Sequence, residues 1–345
     1  MEDPLLISLP ADIQDVIMAA QKPSTRRAYS YKWDKFLAFL NEKDIVPSQV
    51  SISTILGFLM SLANAGLSLN SIKCYLSAIS SHYTFGDKPS LFRNSLVKRF
   101  LRGFNNLHPP CSSPSPAWSL ELVLSKLTSK PFEPMATTDL RLLTWKTAFL
   151  VAITSARRAG ELCALRADQP YIRFHRDKVV LRADITFLPK VVSAFHLNQD
   201  IILPILAPNP STDEERRMHS LDVRRALAFY LDRTLGSRLS NRLFVCYSEA
   251  KKGLPVSSQR FSKWVSNTIY LCYELAGVPA PVRVRAHATR AEAASSAFLM
   301  GIPLEDVCRA ATWSQPLTFI RHYRLDSRDR QRAAFGRAVL LSGLH

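Results

Sequence analysis

Between Leu107 and Ser119 the chain reads HPPCSSPSPAW, with four prolines and no charged side chain. Proline has no amide N–H and a fixed φ, so it resists both helix interior and central strand. The stretch therefore reads as an extended linker. A chain of 345 residues exceeds the usual size of a single core. The linker thus predicts two domains, residues 1–108 and 119–345, joined by residues 109–118.

Each side carries its own pattern. In KPSTRRAYSYKWDKFLAFLNEKDI, Ser24 and Thr25 are capping candidates, and Tyr29, Trp33, Phe36, Leu37 and Leu40 recur at helical spacing. The other side of that helix carries Arg26, Arg27, Lys32 and Lys35. SISTILGFLMSLANAG, SLNSIKCYLSAISSHYTF (with Lys73) and SLFRNSLVKRFLRGF repeat the pattern, so four or five short helices are expected before the linker. Their mixed basic and aromatic faces suit either ordinary solvated helix surface or a DNA groove, with Arg26, Arg27, Lys32 and Lys73 as candidate DNA contacts.

Beyond the linker, helices are expected at Ser119–Ser129 and Thr138–Arg166. DKVVLRADITFLPKVV and SAFHLNQDIILPIL hold β-branched runs that predict two or three strands. After APNPSTDEE helices resume. The fold class is mainly α with one small β-sheet.

Charge narrows the partners. The formal net charge is +17, distributed as 12 basic against 8 acidic residues in 1–108 and 33 against 20 in 109–345. Such a balance favours polyanions, and the second part is rich in Arg, whose planar fork matches phosphate oxygens. Six scattered cysteines form no CxxC or zinc spacing. No apolar run approaches the roughly 18 residues of a membrane span, and MEDPLLISLPADIQD lacks the early basic residues of a secretory signal. A soluble intracellular chain with no membrane association is expected. There is no GxxxxGK[ST] loop for ATP and no carboxylate pair spaced for two metals, so no cofactor is expected.

Three stretches carry candidate chemistry. TSARRAGELCAL places Arg157, Arg158 and Glu161 in an apolar run, where a charge must be paired or bound. Arg158 and Glu161, three apart, suit either a structural ion pair or an Arg aimed at an anion. RVRAHATRAEAASSAF puts His287 and Arg290 on one face at a helix start, where anions are favoured. AATWSQPLTFIRHYRLD reads as the junction and second half of two short helices joined at Thr312–Pro316. A helix-turn-helix with Leu317–Leu325 as its DNA reader is one reading, but the bulky Phe319 suggests an inward face. Two Arg forks, a His, a Trp N–H and a Tyr hydroxyl form a set suited to attack on a phosphodiester, with Tyr323 as nucleophile.

That order of residues (Arg–x–x–Glu, a Lys in a hairpin, His–x–x–Arg, His or Trp, then Tyr) resembles the tyrosine recombinases of the phage-integrase family, over nearly the whole chain. AHATRAEAASSAF and AATWSQPLTFIRHYRLD look most like the recombinases of DIRS-type and Ngaro-type retrotransposons. The resemblance implies a SAM-like core-binding domain before the linker and a catalytic domain after it. It implies Arg158 and Arg290 as phosphate-binding arginines, Glu161 as a support of the site that orients His287, and His287 as an aid to proton transfer around the attacking Tyr. Trp313 would donate a hydrogen bond and pack the site, while Tyr323 would form a 3′-phosphotyrosine. Lys190 would protonate the leaving 5′ oxygen, with Lys178 as the competing choice. It further implies double-stranded DNA as partner, integration of a mobile element, a tetramer assembled through the C-terminal helix, and nuclear residence. A type IB topoisomerase and a domesticated, non-cutting DNA-binding protein are the alternative functions.

Overall fold

The computed structural model describes residues 9–83, 90–109, 118–197 and 199–322. The chain divides into two compact units, Met1–Ser113 and Pro114–His345. Most of the Pro/Ser stretch lies outside the described residues.

The first unit is helical: α1 (Ala11–Ala19), α2 (Pro23–Glu42), α3 (Ile52–Asn64), α4 (Leu69–Ser80) and α5 (Ser95–Leu107). Helix α2 begins at Pro23 itself, with Lys22 in the cap position and no side-chain cap. Ser24 and Thr25 therefore lie inside the first turn, because proline's fixed φ already suits that position. Ser51, Ser68 and Asn94 cap α3, α4 and α5 through their side-chain oxygens. The apolar faces close on one core in which Phe36, Ile55, Leu59, Ile72, Leu76, Ile79 and Val97 are fully buried. Trp33 lies at its edge, stacked on His82 with ring centroids 3.9 Å apart.

The second unit opens with α6 (Leu120–Leu127) and α7 (Leu140–Ser155), capped by Ser119 and Asp139. Helix α7 is buried almost all round, which its apolar sequence demands. Its one buried amine, Lys146, donates to Glu133 at 2.6 Å and to the Leu127 carbonyl at 2.6 Å, and Glu133 also takes two bonds from Arg225. Burial pulls the Lys146 pKa down to about 8. The expected helix from Thr138 to Arg166 is not continuous. It stops at Ala156, which is left-handed at φ 52, and a short α8 (Ala159–Cys163) follows.

An antiparallel three-stranded sheet comes next, in the order β1 (Ile172–Phe174), β2 (Lys178–Leu181), β3 (Ile201–Pro204), with Val180 opposite both Arg173 and Ile202. The β-branched residues Ile185, Val191 and Val192 fall in the connection between β2 and β3 rather than in strands, and all three are exposed. Helices α9 (Asp213–Ser220), α10 (Val223–Thr234), α11 (Ser258–Ala276), α12 (His287–Leu299), α13 (Leu304–Ala310) and α14 (Pro316–His322) complete the described unit. Helix α7 packs against α10, α11 and α12 and forms the centre of the unit. Among the described residues no helix is long and apolar enough to cross a membrane, and the five described cysteines are free thiols.

Candidate active site

The break after α7 creates the first half of the site. Ser155 turns its hydroxyl back to the Val151 carbonyl at 2.6 Å and accepts the Arg157 backbone N–H at 3.4 Å. Arg158 then occupies the cap position of α8, in extended conformation. Its Nη1 donates to Glu161 Oε1 at 2.9 Å, while Arg157 Nη1 stands 3.8 Å from Glu161 Oε2. The side chain of Arg158 is 28% exposed and that of Arg157 only 8%. The ion pair allowed by the spacing of Arg158 and Glu161 is formed. Both carboxylate oxygens of Glu161 face arginines.

Helix α12 supplies the second half. Arg290 is 1% exposed. Its Nη2 donates to the Ala311 carbonyl, and its guanidinium carbon lies 4.7 Å from the centroid of the Trp313 ring. A buried guanidinium needs both a hydrogen-bond acceptor and a polarisable face. The Ala311 carbonyl also accepts the Thr312 hydroxyl at 2.7 Å, and Thr312 is left-handed at φ 53, a sparsely populated state for a β-branched residue. Trp313 packs on Phe319 of α14 with centroids 5.8 Å apart. Phe319 is fully buried while Leu317 and Ile320 are exposed, so the inward face expected from the sequence is present.

The halves share one apolar cluster. Ala156, at the arginine corner, packs with Ala294 of α12 and with Val307, Cys308, Ala311, Trp313 and Phe319. A small cleft beside it is lined by Arg157, Glu161, Thr312 and by Ile185, Phe187 and Pro189 of the β2–β3 connection. That connection is held at its root by Asp184, which accepts from Thr186 and forms ion pairs with Arg166 at 3.4 Å and Arg242 at 3.6 Å. It carries the exposed Lys190 next to Pro189. Lys178 stands at the start of β2, facing Asp177 at 3.9 Å.

His287 opens α12 and ties these parts together electrostatically. Desolvation, and then the positive charges of Arg290, Arg158 and Lys190, hold its pKa below the ordinary 6.5. The imidazole is therefore neutral at pH 7 and able to accept a proton. Tyr323 lies outside the described residues, as does the C-terminal segment that follows it. Among the described residues no three His, Cys, Asp or Glu side chains gather as a metal site would require.

In the first unit, Arg26, Arg27 and Lys32 lie on α2 and Lys73 on α4. Arg27 and Lys73 are exposed, and Arg26 and Lys32 are half-buried. Lys32 Nζ donates to the Ala28 carbonyl at 3.2 Å and sits 5.6 Å from the Tyr75 ring centroid on α4. The residues missed from sequence are Thr312 and the carbonyl of Ala311. Neither has a side-chain signature, since one acts through its backbone and the other through an unusual φ.

No family model and no curated protein matches the chain. Solved structures do. A XerH site-specific recombinase bound to palindromic difH substrate, in a post-cleavage complex, matches with TM-score 0.58 and 14% identity over 91% of this chain and 79% of that one. The Tn1549 transposon integrase in complex with transposon right-end DNA matches with TM-score 0.56 and 14% identity over 89% and 92%. A lambda integrase tetramer bound to a Holliday junction matches with TM-score 0.51 and 14% identity over 92% and 78%. The chain therefore has the fold of these recombinases and integrases.

Proposed function

We propose that this chain is a site-specific DNA recombinase that cleaves and rejoins double-stranded DNA through a 3′-phosphotyrosyl intermediate, without metal or ATP. One observation carries the reading: the corner that bears Arg158 and the pair of Arg290 and Trp313 meet in one apolar cluster, where Ala156 packs with Ala294, Ala311 and Trp313. Two guanidinium groups brought to one site suit a pentacoordinate phosphate that gains negative charge as it forms.

In this reading the Tyr323 oxygen attacks the scissile phosphorus and its proton passes to neutral His287. Arg158 and Arg290 hold the non-bridging oxygens. The 5′ oxygen leaves with a proton from Lys190, whose place in the β2–β3 connection supports it over Lys178, already beside Asp177. Trp313 keeps Arg290 oriented. Attack of a 5′-hydroxyl on the phosphotyrosine reverses the steps and reseals a strand, so no external energy source is needed. The first unit would act as a SAM-like core-binding domain, with Arg26, Arg27, Lys32 and Lys73 on backbone phosphates. Integration of a DIRS-like or Ngaro-like element in the nucleus, and a tetramer on DNA joined through the C-terminal segment, complete the proposal. The element and its nuclear setting rest on the sequence motifs alone, while the assembly on DNA is supported by DNA-bound recombinases of the same fold.

The test is covalent capture on a pool of nicked duplexes of randomised sequence, in EDTA. Wild type should yield a denaturant-resistant protein–DNA adduct, and Tyr323→Phe should bind DNA but yield none. An adduct with the Phe variant, or a strict need for a divalent ion, refutes the mechanism.

A further inference from the structure

Glu161 is shared between two consecutive arginines, and they hold it unequally. Arg158 makes a 2.9 Å hydrogen bond to Oε1, whereas Arg157 waits 3.8 Å from Oε2. Oε2 is buried and accepts no hydrogen bond among the described residues. The Arg157 guanidinium is nine-tenths buried, lines the cleft beside Glu161 and Thr312, and reaches Glu161 only at the long distance of 3.8 Å. A buried guanidinium and a buried carboxylate oxygen thus face each other across a gap that neither closes while Arg158 holds the other oxygen.

This arrangement bears on how Arg158 can serve a phosphate. A DNA phosphate and Glu161 compete for the same fork, since a carboxylate and a phosphate both accept its paired N–H groups. If Arg158 turned to the phosphate and Glu161 had no other cation, a buried carboxylate would be left unpaired, a strongly unfavourable state. We propose that Arg157 is a positioning residue that takes over the Glu161 carboxylate when Arg158 is drawn to the scissile phosphate. It acts through Glu161 and touches no reacting atom. The inference rests on the phosphodiester reading given above. Burial and the adjacent Arg158 both lower the Arg157 pKa while Glu161 raises it, and an arginine so placed remains charged.

The experiment measures the rate of adduct formation on the nicked duplex pool for wild type, Arg157→Met, Arg157→Lys, Glu161→Gln and the Arg157→Met/Glu161→Gln double variant. Thermal melting is followed alongside. R157M should slow adduct formation by about tenfold or more, through kcat rather than through DNA affinity. R157K, which keeps the charge, should recover most of the rate. Because a neutral Gln at 161 needs no counter-charge, adding R157M to E161Q should change the rate by less than about threefold. A wild-type rate for R157M, or an undiminished loss in the double variant, overturns the proposal. Should R157M fail to fold, the double variant against E161Q decides: equal rates support the relay, and a large further loss refutes it. Absence of any adduct from the wild-type chain would refute the phosphodiester reading, and the relay with it.

Discussion

In the proposed mechanism Arg158 and Arg290 present the same guanidinium to one phosphate, yet the protein holds them by different means. Arg158 stands at a helix start, partly open to solvent, and is held by a carboxylate three residues away. Arg290 is sunk in the core, held by a backbone carbonyl and the face of an indole. A carboxylate neutralises the charge it holds, so on the proposed mechanism Arg158 is released from Glu161 to act. The carbonyl and the ring that grip Arg290 carry no net charge of their own. The proposed mechanism thus makes one arm of the site exchangeable and the other fixed.

The comparison breaks if both arginines respond alike to removal. Arg290→Met and Arg158→Met should each slow adduct formation by about 10²–10³-fold, as expected when one preorganised donor to a developing charge is lost. Their stabilities should differ. The Arg290 change strips a buried carbonyl of its charged donor and should cost about 1–3 kcal/mol, whereas the Arg158 change leaves Glu161 with Arg157 and should cost under about 1 kcal/mol. Chemical denaturation of the two variants checks this, and equal costs would erase the distinction.

A milder change sharpens the fixed arm. Trp313→Phe keeps an aromatic face but reduces its reach over Arg290, and should cost about 1 kcal/mol in stability with a matching fall in rate. The same change should leave the Arg158 side untouched, so combining it with Arg158→Met should give additive effects. The smallest effect is a pH dependence. With its pKa held below 6.5, folded His287 resists protonation that the unfolded chain accepts. Its contribution to stability is intact above pH 6.5 and is lost as pH falls from there through the folded value. His287→Gln should flatten that part of a stability-against-pH curve, read by melting between pH 5 and 7.5; an unchanged curve would remove the electrostatic link between the two arms.

Much of this was legible in the sequence, for identifiable reasons. Helical spacing around Trp33, Phe36 and Leu40 foretold a buried face, and the three-residue interval from Arg158 to Glu161 allowed the pairing that forms. The turn that makes the arginine corner was not legible, because Ala156 adopts a left-handed conformation with no glycine or proline to mark it. Strand β1 was missed because only one of its three residues is buried. The β-branched residues around Lys190 read as strand, although no partner strand pairs with them and they form the arm that carries the lysine. The grip of Ala311 on Arg290 spans 21 positions and uses a carbonyl, which every residue possesses.

The central claim is that Arg158, Arg290 and His287 serve one tyrosine. Peptide mapping of the adduct trapped on nicked DNA in EDTA tests it most directly. The account predicts DNA attached to the peptide containing Tyr323, through that side chain alone. Attachment at any other residue would contradict it.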